Sequence, residues 1–253
     1  MTTGPNTIHL AGKRILITGS SSGLGFEIAR GLARTGATII LNGRRPERLA
    51  AAVLQLKQEN ACVSSACFDV TVEEEVRRGI AKAGAIDVLI NNAGFHRRGP
   101  LEQFSLAQWN EVLDANLTSS FLVAREVVGS MIERGSGKII NICSLMSDFA
   151  RAGTAPYTAS KGGLKMLTKA MCAEWARYNI QINGIAPGYF ITEMTQKLAN
   201  DPEFDAWVKK RTPAGRWGDP AELVGVAIFL SSESSSFVNG QVLYVDGGMS
   251  SVL

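Results

Sequence analysis

Histidine is almost absent from this chain: His9 and His96 are the only two in 253 residues. The four cysteines, Cys62, Cys67, Cys143 and Cys172, include no pair at the two-residue spacing of a zinc or redox motif. A His/Cys metal site is therefore not expected, and four cysteines in a chain this long do not suggest a disulfide scaffold. No uncharged apolar stretch approaches the roughly 20 residues of a membrane span. Residues 1–12 lack the apolar core of a secretion signal, so the expected compartment is a reducing cytoplasm. Charge of one sign is not in excess either: 26 Lys and Arg against 23 Asp and Glu leave a net +3. The basic residues are scattered, apart from Arg44-Arg45, Arg97-Arg98 and Lys209-Lys210-Arg211. A nucleic-acid surface needs them concentrated on one face, so the expected partner is a small molecule, not nucleic acid or membrane.

What is plentiful is apolar matter, 45% of the chain, patterned in short runs that alternate with helical spacings. Strands are expected at residues 14–18, 37–41, 62–68, 87–90, 138–143, 180–185 and 241–245. Helices are expected at 26–35, 46–59, 73–83, 106–134, 156–178 and 220–230, with a further helical insertion at 193–211. The strand segments are continuous apolar runs and not alternating ones, the pattern of a parallel sheet covered on both faces. No repeat, low-complexity stretch or linker divides the chain. The expectation is one doubly wound α/β domain over residues 1–253, with a substrate-covering insertion near 190–215.

Between the first strand and the first helix lies Thr18-Gly-Ser-Ser-Ser-Gly-Leu-Gly25. Gly19, Gly23 and Gly25 permit a tight turn and close approach of a pyrophosphate, with the helix N-terminus behind it. Ser21, Ser22 and Leu24 share this loop. The spacing is not the common G-x-G-x-x-G, and no Gly-Lys-Ser/Thr follows as in a P-loop. Gly19-Ser-Ser21-Ser-Gly23 also has the form of a nucleophile elbow. That reading needs a histidine far downstream, and His96 is the only one after Ser21.

The end of the second strand discriminates between dinucleotides. An acidic residue there binds a ribose 2′-hydroxyl, whereas a 2′-phosphate prefers a nearby arginine. Here Asn42-Gly43-Arg44-Arg45 contains no carboxylate, so NADP is expected, with Arg44 offering a planar donor fork. Asp69 ends the third strand and is expected either beside the adenine, with Val70, or as a cap of the helix that follows.

Tyr157 and Lys161 stand four residues apart on an expected helix and so share a face. An ammonium beside a phenol stabilises the phenolate and lowers its pKa, which suits proton exchange with an alcohol or ketone oxygen. Ser144 ends the fifth strand, at the edge where open α/β sheets bind ligands, and its hydroxyl can hold that oxygen. Asn91-Asn92-Ala93-Gly94 follows the fourth strand. Asn116 interrupts a helical pattern as a poor helix former, which suggests a local bend and a polar group able to order a water beside Lys161. Pro187-Gly188 ends the sixth strand and is expected at the nicotinamide edge.

In their order and spacing these segments, together with Asp246-Gly247-Gly248, resemble the short-chain dehydrogenase/reductases over nearly the whole chain. The resemblance implies a Rossmann-type sheet of about seven strands and a catalytic set of Asn116, Ser144, Tyr157 and Lys161. It also implies a proton relay through Asn116, Lys161 and the ribose hydroxyl, and a homotetramer. The cofactor shell so implied comprises Gly19, Ser21 to Gly25, Arg44, Asp69, Val70, Asn92 to Gly94, Tyr157, Lys161, Pro187, Gly188 and Thr192. Segments of the second half, among them residues 142–147, 185–190, 210–213, 216–220 and 237–240, are similar to one branch of that family, the gluconate 5-dehydrogenases. Some members of that branch carry aspartate after the second strand where this chain has Gly43-Arg44, a departure that again favours NADP.

Gluconate is an anion, and Arg97, Arg98 and Arg151 are the candidates to meet its carboxylate. Two other activities remain open on sequence: reduction of 3-oxoacyl thioesters at the same site, and dinucleotide binding without catalysis. The intact Ser144, Tyr157 and Lys161 argue against the second.

Overall fold

A computed structural model describes residues 8–193 and 195–252. The first seven residues, which belong to the segment read above for a secretion signal, lie outside the described residues, as do Met194 within the expected insertion and Leu253.

Seven strands, β1 (Arg14–Ile17), β2 (Thr38–Gly43), β3 (Val63–Cys67), β4 (Val88–Asn91), β5 (Gly137–Ile142), β6 (Ile180–Pro187) and β7 (Val242–Val245), form one sheet in the order β3-β2-β1-β4-β5-β6-β7. Every neighbouring pair is parallel. Successive strand residues bury on opposite faces, so each face has its own core. Ile15, Ile17, Ile39, Leu41, Val88, Ile90, Ile140 and Ile185 pack under helices α1 (Gly23–Ala33), α2 (Pro46–Gln58) and α9 (Val224–Ser231). Leu16, Ile40, Leu89, Ile139, Ile180 and Ile182 pack under α3 (Glu73–Ala83), α5 (Ser119–Arg134) and α6 (Ala155–Trp175). This double burial is why the strands read as unbroken apolar runs.

Four expected helices are subdivided. The stretch 220–230 opens as a 3-10 turn, Pro220–Leu223, started by Asp219, and continues as α9. The stretch 106–134 is α4 (Leu106–Leu113), a π-helical turn over Asp114–Thr118, and then α5. The wide turn is centred on Asn116, whose side chain bonds outside the helix instead of pointing to solvent. The stretch 156–178 ends in a 3-10 turn, Ala176–Tyr178, stopped by left-handed Asn179. The insertion contains α7 (Gln196–Ala199) and α8 (Pro202–Arg211), the latter started by Asp201, whose carboxylate accepts from the amides of Glu203 and Phe204.

The order of the sheet makes β1 and β4 neighbours although their connections run to opposite edges, the switch point at which open α/β sheets bind ligands. A buried polar chain sets the depth of α6 against this region. Asn91 Nδ2 donates to Asn141 Oδ1 at 2.9 Å, and Asn141 Nδ2 donates to Thr168 Oγ1 at 2.9 Å. Thr168 Oγ1 in turn donates to the Leu164 carbonyl at 2.8 Å. Asn141 and Thr168 are fully buried, so a gap in the chain leaves polar atoms without water. Replacement Asn141→Ala should therefore cost about 1–3 kcal/mol in urea unfolding. In the double variant with Asn91→Ala the two losses should fall short of additivity, because both act on one hydrogen bond. Strict additivity would mean the chain is not a unit.

Candidate active site

The turn after β1 is held by the turn after β4. Thr18 Oγ1 accepts from the amides of Asn92 and Ala93 at 2.9 and 3.0 Å, and Asn92 Nδ2 donates to the carbonyls of Thr18 and Gly19 at 2.9 and 3.0 Å. Contact is so close that a Cβ on Gly19, itself at φ +60°, would stand 2.8 Å from the Ala93 Cα. One on Gly25 would stand 2.3 Å from Asn92 Nδ2. Asn91 to Gly94 is thus a brace for the glycine-rich turn and not a free surface loop. Ser22 precedes α1 in extended conformation without capping it through its side chain, and no acidic residue occupies the first turn. The N-terminal amides of α1 are left for an external acceptor, and their dipole favours an anion.

At the end of β2, Asn42 is committed inward: its Oδ1 accepts from the Gly19 amide, and its Nδ2 donates to Ala66 and Phe68. Arg44 is three-quarters exposed and pairs with Asp69 at 3.3 Å. An exposed pair of this kind contributes little and exchanges readily for a stronger anion. Burial works against ionisation of the Asp69 carboxyl, but hydrogen bonds from Thr71 and Arg44 outweigh it and hold the pKa below its ordinary value. Asp69 accepts from the Thr71 amide, while Val72 takes the N-cap position of α3, so Asp69 is not the direct cap of that helix. Val70 packs beside the core under α3. Gly188 follows β6 and donates to Val245 at 2.9 Å, and Thr192 opens the insertion, hydrogen-bonded to Thr195.

Ser144, Tyr157 and Lys161 meet where β5 and α6 converge. Ser144 caps a 3-10 turn, Leu145–Ser147, its hydroxyl accepting from the Met146 amide at 3.2 Å. Ser147 Oγ donates to the Lys161 carbonyl at 3.0 Å, which ties the serine turn to α6. Lys161 is buried, lies 5.7 Å from the centroid of the Tyr157 ring, and donates to the Ile142 carbonyl at 2.6 Å. Burial lowers its pKa to about 8. Burial raises the phenol of Tyr157 despite a hydrogen bond from Ser144. Sequence spacing led to the expectation of a phenol made acidic by its neighbour. The ammonium donates to the Ile142 carbonyl, and desolvation is the largest influence on both groups.

Asn116 sits in the local bend that its place in the helical pattern suggested. Its Nδ2 donates to the Phe95 carbonyl at 2.9 Å and to Ser160 Oγ at 3.1 Å, and its Oδ1 accepts from the Phe95 amide at 2.9 Å. The side chain clamps the loop after β4.

The three candidate arginines separate. Arg97 pairs with Glu111 at 2.6 Å. Arg98 and Arg151 have no carboxylate partner among the described residues, and each depresses the pKa of His96. Arg151 lies 5.0 Å over the Phe204 ring and reaches Tyr189 Oη at 3.3 Å. Tyr189 meets Phe204, Trp207 and Trp217 edge-on at 5.6, 5.8 and 5.6 Å. Sequence reasoning passed over this aromatic wall. Its only linear trace is Phe204 and Trp207, three residues apart on α8. His96 packs on Tyr157, with ring centroids 4.6 Å apart, and so is not the partner of Ser21 that a hydrolase would need.

The family model described as enoyl-(acyl carrier protein) reductase matches residues 19–250. The chain is 53% identical to a gluconate 5-dehydrogenase of Gluconobacter oxydans (strain 621H) over 249 residues, 97% of each chain. It is 54% identical to a 5-keto-D-gluconate 5-reductase of Escherichia coli (strain K12) over 244 residues, 95% of this chain and 96% of the other. A gluconate 5-dehydrogenase from Burkholderia cenocepacia J2315, solved in complex with NADP and tartrate, superposes with a TM-score of 0.94 at 51% identity, covering 97% of this chain and 98% of its own.

Desolvation of Lys161 has a sign that can be measured. The folded chain releases this proton near pH 8 and the unfolded chain nearer 10.5, so between those values unfolding takes up a proton and stability rises with pH. Lys161→Met removes this contribution. In urea unfolding without added nucleotide, wild type should gain on the variant as the pH is raised from 8 to 10. A flat difference would mean the amine is not desolvated.

Proposed function

The chain belongs to the short-chain dehydrogenase/reductases, and from that premise we propose that it interconverts D-gluconate and 5-dehydro-D-gluconate with NADP as its redox partner. The observation that carries this reading is the pair Arg98 and Arg151: two cations without carboxylate partners among the described residues, on the side of the site where His96 covers Tyr157. A neutral ketone would gain less from them than a sugar-acid carboxylate, which offers a hydrogen bond between two charged groups. The printed names of the two curated relatives support the same substrate pair.

The residues fit NADP. The glycine turn has no room for a Cβ at Gly19 or Gly25, the first turn of α1 carries no acidic residue, and β2 ends without a carboxylate. We assign the pyrophosphate to Gly19 to Gly25, braced by Asn92 to Gly94, and the 2′-phosphate to Arg44, which gives up its exposed pairing with Asp69. Bound NADP supplies hydride exchange with the substrate carbon. In the oxidising direction Tyr157 takes the hydroxyl proton, and in the reducing direction it returns one to the ketone oxygen. Ser144 holds that oxygen, and Lys161 stabilises the phenolate and would also hold the nicotinamide ribose. Asn116 acts by fixing the loop that borders the site.

We read the whole chain as one such unit, with residues 190–215 forming the cover of the substrate. We further propose a cytoplasmic homotetramer. Phe121 on α5 and Met166 on α6 stay exposed at 42% and 62%, an apolar surface that association would bury. Light scattering coupled to gel filtration should return four copies, and a monomer would discard that assembly.

Oxidation of NADPH across a ketone panel should be fastest with 5-dehydro-D-gluconate, and poor with acetoacetyl thioesters. Arg151→Ala or Arg98→Ala should raise the KM for 5-dehydro-D-gluconate by about 10–100-fold, the worth of a charged hydrogen bond, with kcat less affected. Unchanged KM in both variants removes the carboxylate site. Arg44→Ala should weaken NADPH by about tenfold or more and leave NADH nearly unaffected.

A further inference from the structure

His96 has no part in the chemistry described so far, yet it occupies a demanding position. Its ring lies 4.6 Å from that of Tyr157, tilted by 34°. The loop that carries it is held at both ends. Phe95, immediately before it, is clamped at its amide and its carbonyl by Asn116. Gly99, three residues after it, donates to the Gly153 carbonyl at 3.2 Å. A side chain fixed this firmly against the proton-transfer group is displayed, not merely accommodated.

The ring is nevertheless incompletely satisfied. Nδ1 is buried and lacks a hydrogen-bond partner among the described residues. Buried polar atoms are nearly always paired, and leaving one bare is destabilising. Protonation does not resolve the deficit: burial and the charges of Arg98 and Arg151 lower the pKa of His96 to about 4. The imidazole is therefore neutral at physiological pH, with one donor and one acceptor nitrogen. Its cationic neighbours carry donors only. Beside two arginines that suit a carboxylate, the imidazole supplies an acceptor for a group that must give a proton to a hydrogen bond.

We propose that His96 reads a hydroxyl of the substrate on a carbon adjacent to the one that reacts, and thereby selects polyhydroxylated acids over ketones with plain alkyl neighbours. This rests on the sugar-acid reading above. Because the ring packs on Tyr157, the recognised hydroxyl would lie close to the reacting oxygen, so the contact also fixes which way the substrate lies across the phenol.

A substrate-by-enzyme cycle tests it. Reduction of 5-dehydro-D-gluconate and of its 4-deoxy and 6-deoxy analogues is compared in wild type, His96→Phe and His96→Gln, with inhibition constants used where turnover is slow. His96→Phe keeps the stack on Tyr157 but no polar atom, and NADPH binding followed by fluorescence reports that it is folded. With the parent substrate, kcat/KM should fall about three- to tenfold more than with one of the deoxy analogues. His96→Gln, which retains a donor and an acceptor, should recover most of the loss. An equal fall on all three substrates would make His96 a support for Tyr157, and no fall at all would make it packing; either overturns the proposal. If wild type fails to reduce 5-dehydro-D-gluconate, the functional reading fails separately. The same cycle on whichever polyhydroxy ketone it does reduce then decides His96.

Discussion

The site depends on one close contact, the seam between the turns that leave β1 and β4. Four hydrogen bonds between Thr18, Gly19, Asn92 and Ala93 draw two backbones together at the switch point of the sheet. No side chain larger than hydrogen fits at Gly19 or Gly25 while that seam is closed. The glycines are therefore required twice, by the neighbouring turn as well as by any phosphate above them. The same seam leads into the segment that brings His96 onto Tyr157 of α6.

From there the geometry is propagated by buried polar groups, not by apolar packing. Asn116 spends a whole π-helical turn and its complete amide to hold Phe95. Asn91, Asn141 and Thr168 connect β4, β5 and α6 in a single line. Ser147 links the serine turn to the backbone of Lys161. Hydrogen bonds are directional where dispersion is not, so a chain of them defines relative positions of strand and helix more sharply than the two hydrophobic cores can. The cost is borne by Lys161 and Tyr157. Both are desolvated, and both have pKa values shifted towards their neutral forms. Shifts of this kind gather at catalytic centres, where a group must change charge during the reaction.

The side around Arg151 is built on a different principle. An aromatic wall of Tyr189, Phe204, Trp207 and Trp217 comes from the residues just after β6, from α8 and from the segment that follows the insertion, and Arg151 lies across it. An arginine stacked on an aromatic face stays oriented without being neutralised. That is how a cation can remain available to an anionic ligand while Arg97, a near neighbour in sequence, is consumed by Glu111.

Period and punctuation in the chain determined the fold class by themselves. Unbroken apolar runs mark strands buried on both faces, and glycine, proline and capping residues mark where helices such as α2 and α8 begin. Local spacing also put Tyr157 and Lys161 on one helical face, because four residues make about one turn. The tertiary structure alone decided everything that depends on approach through space. It separated Arg97 from Arg98 and Arg151, set His96 against Tyr157, turned Asn116 inward, and assembled the aromatic wall. The balance of burial and hydrogen bonding at Tyr157 and Lys161 was decided there too, because a pKa answers to desolvation and to the nearest carbonyl, here that of Ile142, and neither is written in the distance between two residues along a chain.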